Sequence, residues 1–133
     1  MTSVAQVPLV SVVIPTYNHA QFLRNALDSV VGQTFTRWEA IVVNNFSQDD
    51  TISVIESYDD PRIRHINFAN QGVIAASRNH GISKTSAPYI AFLDSDDIWY
   101  PQKLEKCMLR LEQGFDMVCH AETWVGPGDR KRD

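Results

Sequence analysis

Three aspartates follow a short apolar run in the segment IAFLDSDDIWYP, residues 90–101. Asp94 and Asp96 are separated by one residue, so both side chains project to the same side if the segment is extended. Two carboxylates about 4 Å apart repel each other by about 4 kcal/mol at a surface-like dielectric, and a divalent cation between them reverses the sign. The pattern therefore predicts a cation site, and Mg²⁺ in particular is commonly held by one or two carboxylates and by phosphate oxygens.

Acidic residues at this spacing also occur in helix caps and in calcium-binding loops. A capping cluster stays open, with Asp96 or Asp97 capping the helix that follows. An EF-hand calcium loop is excluded even though Glu105 stands at its twelfth position. Trp99 occupies the position that must be glycine, and Ile98 occupies a ligand position.

Apolar runs and helical stripes alternate along the chain and define the elements that would position these acids. The predicted strands are Leu9–Ile14, Trp38–Val43, Ile63–Phe68, Tyr89–Leu93 and Met117–Ala121. The predicted helices are Gln21–Gly32, a short helix opened by Asp49 and Asp50, Val73–Lys84 and Pro101–Glu112. This alternation predicts an α/β fold, an open and mostly parallel sheet with helices on both faces. Residues 1–133 are expected to form one domain with a frayed tail at 126–133.

Right-handed crossovers place the carboxyl ends of parallel strands at one edge, where ligands bind. The segments at that edge are polar and distinctive: PTYNHA after the first strand, NNFSQDD after the second, NQGVIAASRNHG before the fourth and DSDD after it. We expect them to converge. A phosphorylation receiver domain is excluded, because Pro15 and Thr16 stand where its acidic pair would follow the first strand.

Composition limits the partners and the compartment. The net charge of −4 gives no general attraction to nucleic acid. No apolar run approaches the roughly 18 residues of a membrane span, and the start of the sequence lacks the basic region of a signal peptide. Cys107 and Cys119 have no disulfide or zinc spacing. These features predict a protein of the cytoplasm without a transmembrane segment.

Two long stretches carry a family resemblance: VSVVIPTYNHAQFLRNALDSVVGQTFTRWEAIVV and SRNHGISKTSAPYIAFLDSDDIWYPQKLE. They resemble the donor-binding half of family 2 glycosyltransferases of the GT-A fold, which is Rossmann-like, over about Val10–Glu105. The resemblance implies transfer of a sugar, with inversion, from a nucleotide-diphosphate sugar to an acceptor hydroxyl. It implies a carbohydrate or glycolipid as the acceptor.

The resemblance also assigns roles to residues. Asp94 and Asp96 would hold Mg²⁺ or Mn²⁺ against the diphosphate, with Asp96 the direct ligand and Asp94 near the ribose. Arg78 would contact diphosphate or base, and the ring of Tyr17 would lie along the base. Asn18 is expected to begin the first helix. The full predicted donor site is Pro15, Thr16, Tyr17, Asn44, Asn45, Arg78, Asp94, Ser95 and Asp96.

The chain departs from the family pattern after the second strand. Where the family has two acids and a glycine (DDGS), this chain has Asn44, Asn45, Phe46 and Ser47. In relatives the second acid accepts the N3 proton of uracil, and Asn45 can still accept through its amide oxygen. Phe46 replaces a glycine that tolerates positive φ, so we expect the loop to follow another path. A UDP-sugar stays the favoured donor.

The second departure concerns length, because the family's general base lies in an acceptor-binding half beyond residue 133. No residue here matches that base, and His120 and Glu122 are expected to be structural or exposed. The acceptor half is thus expected to be truncated. Two functions stay open: a glycosyltransferase or its donor half, and a non-catalytic nucleotide-sugar or partner-binding module. An exposed strand edge makes a homodimer plausible.

Overall fold

The computed structural model describes residues 7–118, together with the backbone of residues 122–124 and 130–132. Four strands and four helices alternate along residues 10–112. The strands are β1 (Val10–Thr16), β2 (Trp38–Asn44), β3 (Ile63–Asn67) and β4 (Tyr89–Phe92). The helices are α1 (Ala20–Val31), α2 (Thr51–Glu56), α3 (Ile74–Ile82) and α4 (Lys103–Glu112). The predicted α/β alternation is confirmed.

The four strands form one parallel sheet in the order β3-β2-β1-β4. All seven residues of β1 are buried, as its continuous apolar run predicts for a central parallel strand. β3 and β4 lie at the edges, and each contains both half-buried and exposed residues. Contrary to prediction, β1 does not end before Pro15. It continues to Thr16, whose carbonyl accepts a 3.0 Å hydrogen bond from the Asn45 N–H.

Helices cover both faces of the sheet, as predicted. Apolar residues of α1, α2 and α4 pack on one face against Val12, Ile14 and Val42. On the other face, α3 lies over Val13 and Val43. The connection from β3 to β4 runs across the sheet in the opposite direction to the two connections before it. Its helix, α3, therefore lies on the face opposite to α1 and α2, as right-handed crossovers require.

α3 approaches the sheet through small residues. Its buried members are Ser77 and Gly81, so the usual apolar stripe is missing. A Cβ atom added at Gly81 would lie 2.5 Å from Val13 Cγ1 and 3.0 Å from Val43 Cγ2. Only glycine allows this close packing of helix on sheet.

The end of the chain contains two further strands, β5 (Glu122–Trp124) and β6 (Arg130–Arg132), which pair antiparallel with each other. The predicted strand Met117–Ala121 is wrong at Met117 and Val118, which have no regular structure, and its residues 119–121 lie outside the described residues. Residues 130–132 of the tail predicted at 126–133 pair as a strand, and the rest of that tail lies outside the described residues. Among the described residues, no helix is long and apolar enough to cross a membrane.

Candidate functional site

Loops at the carboxyl edge of the sheet are tied together by hydrogen bonds. The Asn18 N–H donates to Ser47 Oγ at 3.0 Å, and Asn18 Oδ1 accepts from the Gln48 N–H at 2.7 Å. The Asn70 N–H donates to Asn45 Oδ1 at 3.1 Å. These bonds join the loops after β1, β2 and β3, so the predicted convergence of the polar segments is confirmed for them.

Asn18 does not begin the first helix, contrary to prediction. α1 starts at Ala20, and Asn18 precedes it with a φ of 51°. Asp49 instead binds the N-terminus of α1, because its Oδ2 accepts from the Ala20 N–H at 3.1 Å. Its Oδ1 accepts from the Thr51 N–H, at the start of α2, also at 3.1 Å. Slight burial raises the pKa of Asp49, but hydrogen bonds from the Thr51 hydroxyl and from the Ala20 and Thr51 N–H groups outweigh it and hold the pKa below its usual value. Asp49 thus connects α1 to α2.

Asn44 lies at the end of β2 with only 2% of its surface exposed. Its Nδ2 donates to Asn67 Oδ1 at 3.1 Å, and its Oδ1 accepts from the Ser47 N–H at 3.1 Å and the Ser47 hydroxyl at 2.6 Å. Both ends of the amide are thus used within the protein. An ionised carboxylate at this position would have no N–H group to donate to Asn67 Oδ1, so the asparagine supplies a hydrogen bond that an acid could not.

The residues around the end of β1 include an unpaired hydroxyl. Pro15 and Thr16 are buried, whereas 49% of the Tyr17 surface is exposed. Thr16 Oγ1 is buried without a hydrogen-bond partner among the described residues. Buried polar groups in proteins nearly always have a partner, so this hydroxyl is a candidate contact for a ligand or a water molecule.

Phe46 keeps the left-handed conformation that glycine favours, with a φ of 48°. Phe46 thus adopts a φ that a glycine at this position would tolerate. The conformation costs an aromatic residue about 1–2 kcal/mol, since its Cβ atom crowds the following carbonyl oxygen. Burial does not offset the cost, because 57% of the Phe46 surface is exposed.

The D-x-D segment, which consists of Asp94, Ser95 and Asp96, forms a turn, and the extended geometry predicted for it is wrong. β4 ends at Phe92, and the Asp97 N–H donates to the Asp94 carbonyl at 3.0 Å, which closes a turn around Ser95 and Asp96. The two carboxylates therefore have different surroundings. Asp94 Oδ1 accepts from Arg78 Nη2 at 2.8 Å, whereas Asp96 is exposed.

Ser95, between the two aspartates, is anchored to the first loop. Only 4% of its surface is exposed, and its hydroxyl lies 2.9 Å from His19 Nδ1. The His19 ring also makes an edge contact with Phe22, at 5.6 Å between ring centroids. Sequence reasoning missed the role of His19, because its partner Ser95 is 76 residues away in sequence and no motif marks the pair.

The carboxylates of the D-x-D turn could bind a cation that keeps part of its water shell. Among the described residues they are too few to coordinate a cation with protein ligands alone. Within residues 7–118, no group of three or more His, Cys, Asp or Glu side chains could hold a metal ion. Mg²⁺ typically keeps several waters and binds one or two carboxylates together with phosphate oxygens. An exposed Asp96 beside the paired Asp94 fits that mode.

Comparison with known proteins places this site in a family. The sequence model of glycosyl transferase family 2 matches residues 11–132. The glycosyltransferase TuaG of Bacillus subtilis (strain 168) is 38% identical over 101 residues, which are 74% of this chain and 40% of TuaG. The chain thus spans less than half the length of this relative.

Two solved structures share the fold. Staphylococcus aureus TarS 1-349 in complex with UDP-GlcNAc matches 78% of this chain and 31% of its own, with a TM-score of 0.74 and 26% identity. The mannosyltransferase PcManGT from Pyrobaculum calidifontis, in complex with GDP-Man and Mn²⁺, matches 71% of this chain and 29% of its own, with a TM-score of 0.63 and 25% identity. The chain belongs to glycosyl transferase family 2 and has the GT-A fold.

Proposed function

We propose that this chain is the donor-binding part of a glycosyltransferase that moves a sugar from a nucleotide-diphosphate sugar to an acceptor hydroxyl, with inversion. The observation that carries the proposal is the joining of three polar loops at the sheet edge that also carries the exposed Asp96 and the Arg78–Asp94 pair. In open α/β sheets, ligands bind at this edge.

Asp96 is the proposed direct ligand of Mg²⁺ or Mn²⁺, with Asp94 beside it. When bound, the cation would offset the charge that grows on the diphosphate leaving group. The ion pair with Asp94 keeps the Arg78 guanidinium next to the turn, where its other N–H groups could donate to diphosphate oxygens. The presence of Mn²⁺ in the mannosyltransferase PcManGT supports this assignment.

The other residues of the proposed donor site are Pro15, Thr16, Tyr17, Asn44, Asn45 and Ser95. The buried Thr16 hydroxyl has no hydrogen-bond partner within residues 7–118, and Asn45 beside it is partly exposed. Asn44 supports the loop after β2 through its hydrogen bond with Ser47, and Ser95 supports the D-x-D turn through its hydrogen bond with His19. The UDP-GlcNAc complex of TarS supports a UDP-sugar as the donor. The carbohydrate or glycolipid acceptor, a homodimer and the cytoplasmic location stay predictions of the sequence.

Thermal unfolding with UDP, GDP, CDP and ADP, each with and without Mn²⁺, tests the proposal. A ligand at a hundredfold excess over its Kd stabilises the folded state by about 2.7 kcal/mol. We expect stabilisation by UDP that requires Mn²⁺. Stabilisation by UDP that is equal with and without Mn²⁺ would contradict the proposed role of the D-x-D turn in metal binding. Metal-dependent binding without sugar transfer, in the protein with all its domains, would favour a non-catalytic binding module.

A further inference from the structure

Phe46 combines two features that are unfavourable for the fold. Its φ of 48° is in the left-handed region, and 57% of its surface is exposed. The other non-glycine residues with positive φ among the described residues are Asn18 and Gln71, which carry polar amides. Asparagine in particular tolerates this conformation. A large aromatic residue here gains neither local hydrogen bonding nor burial.

The neighbours of Phe46 impose its conformation. On one side, the Asn45 N–H donates to the Thr16 carbonyl at 3.0 Å. On the other, the Asn18 N–H donates to Ser47 Oγ at 3.0 Å. Phe46 is therefore held at a fixed place between two hydrogen bonds. Strained residues that their surroundings hold in this way concentrate at functional sites.

A second aromatic residue, Tyr17, also has a neighbour on each side that takes part in these two hydrogen bonds. Tyr17 lies between Thr16 and Asn18, just as Phe46 lies between Asn45 and Ser47. Tyr17 and Phe46 therefore occupy corresponding positions on two joined loops. Both rings are about half exposed, and in the described part of the chain they form no aromatic pair with each other.

We propose that Phe46 is a base-stacking residue of the donor site and that it faces Tyr17 across the planar base of the nucleotide. This inference rests on the proposed function. A flat aromatic face binds any nucleobase by stacking, so the contact adds affinity without demanding one base. Stacking on Phe46 would partly replace the hydrogen bond to the base that the family obtains from an acidic residue in this loop.

Calorimetric titration of the protein with UDP and Mn²⁺ tests the proposal through Phe46→Asn. Asparagine tolerates the left-handed conformation but has no ring. We expect about tenfold weaker UDP binding, within the range of base-aromatic stacking, together with an unchanged or higher Tm. Phe46→Tyr keeps the ring and should restore affinity to within about twofold. Phe46→Gly is a second variant that relieves the same backbone conformation.

Two controls separate stacking from other causes. Phe115→Asn removes a phenylalanine of similar exposure, 55%, that follows α4, and should leave UDP binding unchanged. Pyrophosphate has no base, so its Mn²⁺-dependent binding should be the same in wild type and Phe46→Asn. Equal weakening of UDP and pyrophosphate would show that Phe46 only positions the loop, and would overturn the proposal.

The remaining outcomes are also decisive. If Phe46→Asn and Phe46→Gly bind UDP as tightly as wild type, the assignment of Phe46 is wrong while the proposed function stands. If these variants bind UDP normally but a UDP-sugar more weakly, the ring contacts the sugar and the base assignment is wrong. If wild type binds no nucleoside diphosphate, the proposed function fails and the assignment fails with it.

Discussion

His19 Nδ1 lies 2.9 Å from the hydroxyl of Ser95, and this hydrogen bond connects the loop after β1 to the D-x-D turn. The residues are 76 positions apart in sequence and meet because β4 lies next to β1 in the sheet. Ser95 is buried whereas Asp96, the next residue, is exposed. His19 is therefore a positioning residue that helps to set the direction in which the turn presents its carboxylates.

Replacing His19 with alanine should weaken Mn²⁺-dependent UDP binding about two- to tenfold, the value of one hydrogen bond. The measurement is calorimetric titration with UDP at saturating Mn²⁺. His19→Asn places an amide near the position of Nδ1 and should recover part of the loss. His65→Ala, in β3, is the matched control. Equal affinity in His19→Ala and wild type would show that the turn needs no support from this loop.

Gly81→Ala should destabilise the fold by about 1–3 kcal/mol, because the new methyl group would overlap Val13 in a packed interior. Urea unfolding measures the free energy of unfolding. Ala75→Ser, on the exposed side of the same helix, should change it by less than about 0.5 kcal/mol. An unchanged stability in Gly81→Ala would mean that α3 lies farther from the sheet than described.

Glu39, in β2, should make stability depend on pH. Burial raises its pKa, but hydrogen bonds from Ser11, Ser86 and Arg64 outweigh burial and hold the pKa below its usual value. Because the folded pKa is depressed, this stabilisation is complete above the unfolded value of about 4.5 and is lost as pH falls through the folded value.

Glu39→Gln should therefore cost about 1–3 kcal/mol at pH 7, the value of hydrogen bonds to a charged group. The difference from wild type should shrink below about pH 4.5. Urea unfolding of both proteins between pH 7 and pH 3 checks this, and acids common to both cancel in the difference. A gap that stays constant over this range would contradict the role of the Glu39 charge.

Asn45→Asp should tighten UDP binding by about fivefold, since a charged acceptor gains about 1 kcal/mol over a neutral one. The retained Oδ1 can still accept from the Asn70 N–H, as it does in Asn45. CDP is the matched ligand, because cytosine has no proton at N3 to donate. Calorimetry that finds unchanged or weaker UDP affinity would argue against a uracil contact at this position.

Much of the fold follows from local apolar patterns. LVSVVI predicts a buried strand, and parallel connections then predict which polar segments share an edge. The helix that packs through Ser77 and Gly81 carries no apolar stripe, so its buried side cannot be read from periodicity. The same holds for the D-x-D turn: the hydrogen bond that closes it and the pairing of Asp94 with Arg78 depend on tertiary structure.

Contacts between loops were the least predictable part of the site. Asn18 carries the sequence signature of a helix start, yet its side chain binds Gln48 on another loop. The side chain of Asn18 could have capped the helix but instead accepts from a residue 30 positions away, and only the placement of the second loop decides between these two bonds. Asn44, predicted in the donor site, likewise bonds Ser47 in its own loop and Asn67 at the end of β3.

Diffraction from crystals grown with Mn²⁺ and UDP, recorded at the manganese absorption edge, tests the proposed metal site most directly. We predict an anomalous peak between the Asp96 carboxylate and the diphosphate of UDP, and its loss in crystals of Asp96→Asn. UDP bound at this edge of the sheet with no manganese at Asp96, or a manganese peak at other residues, would contradict the proposal.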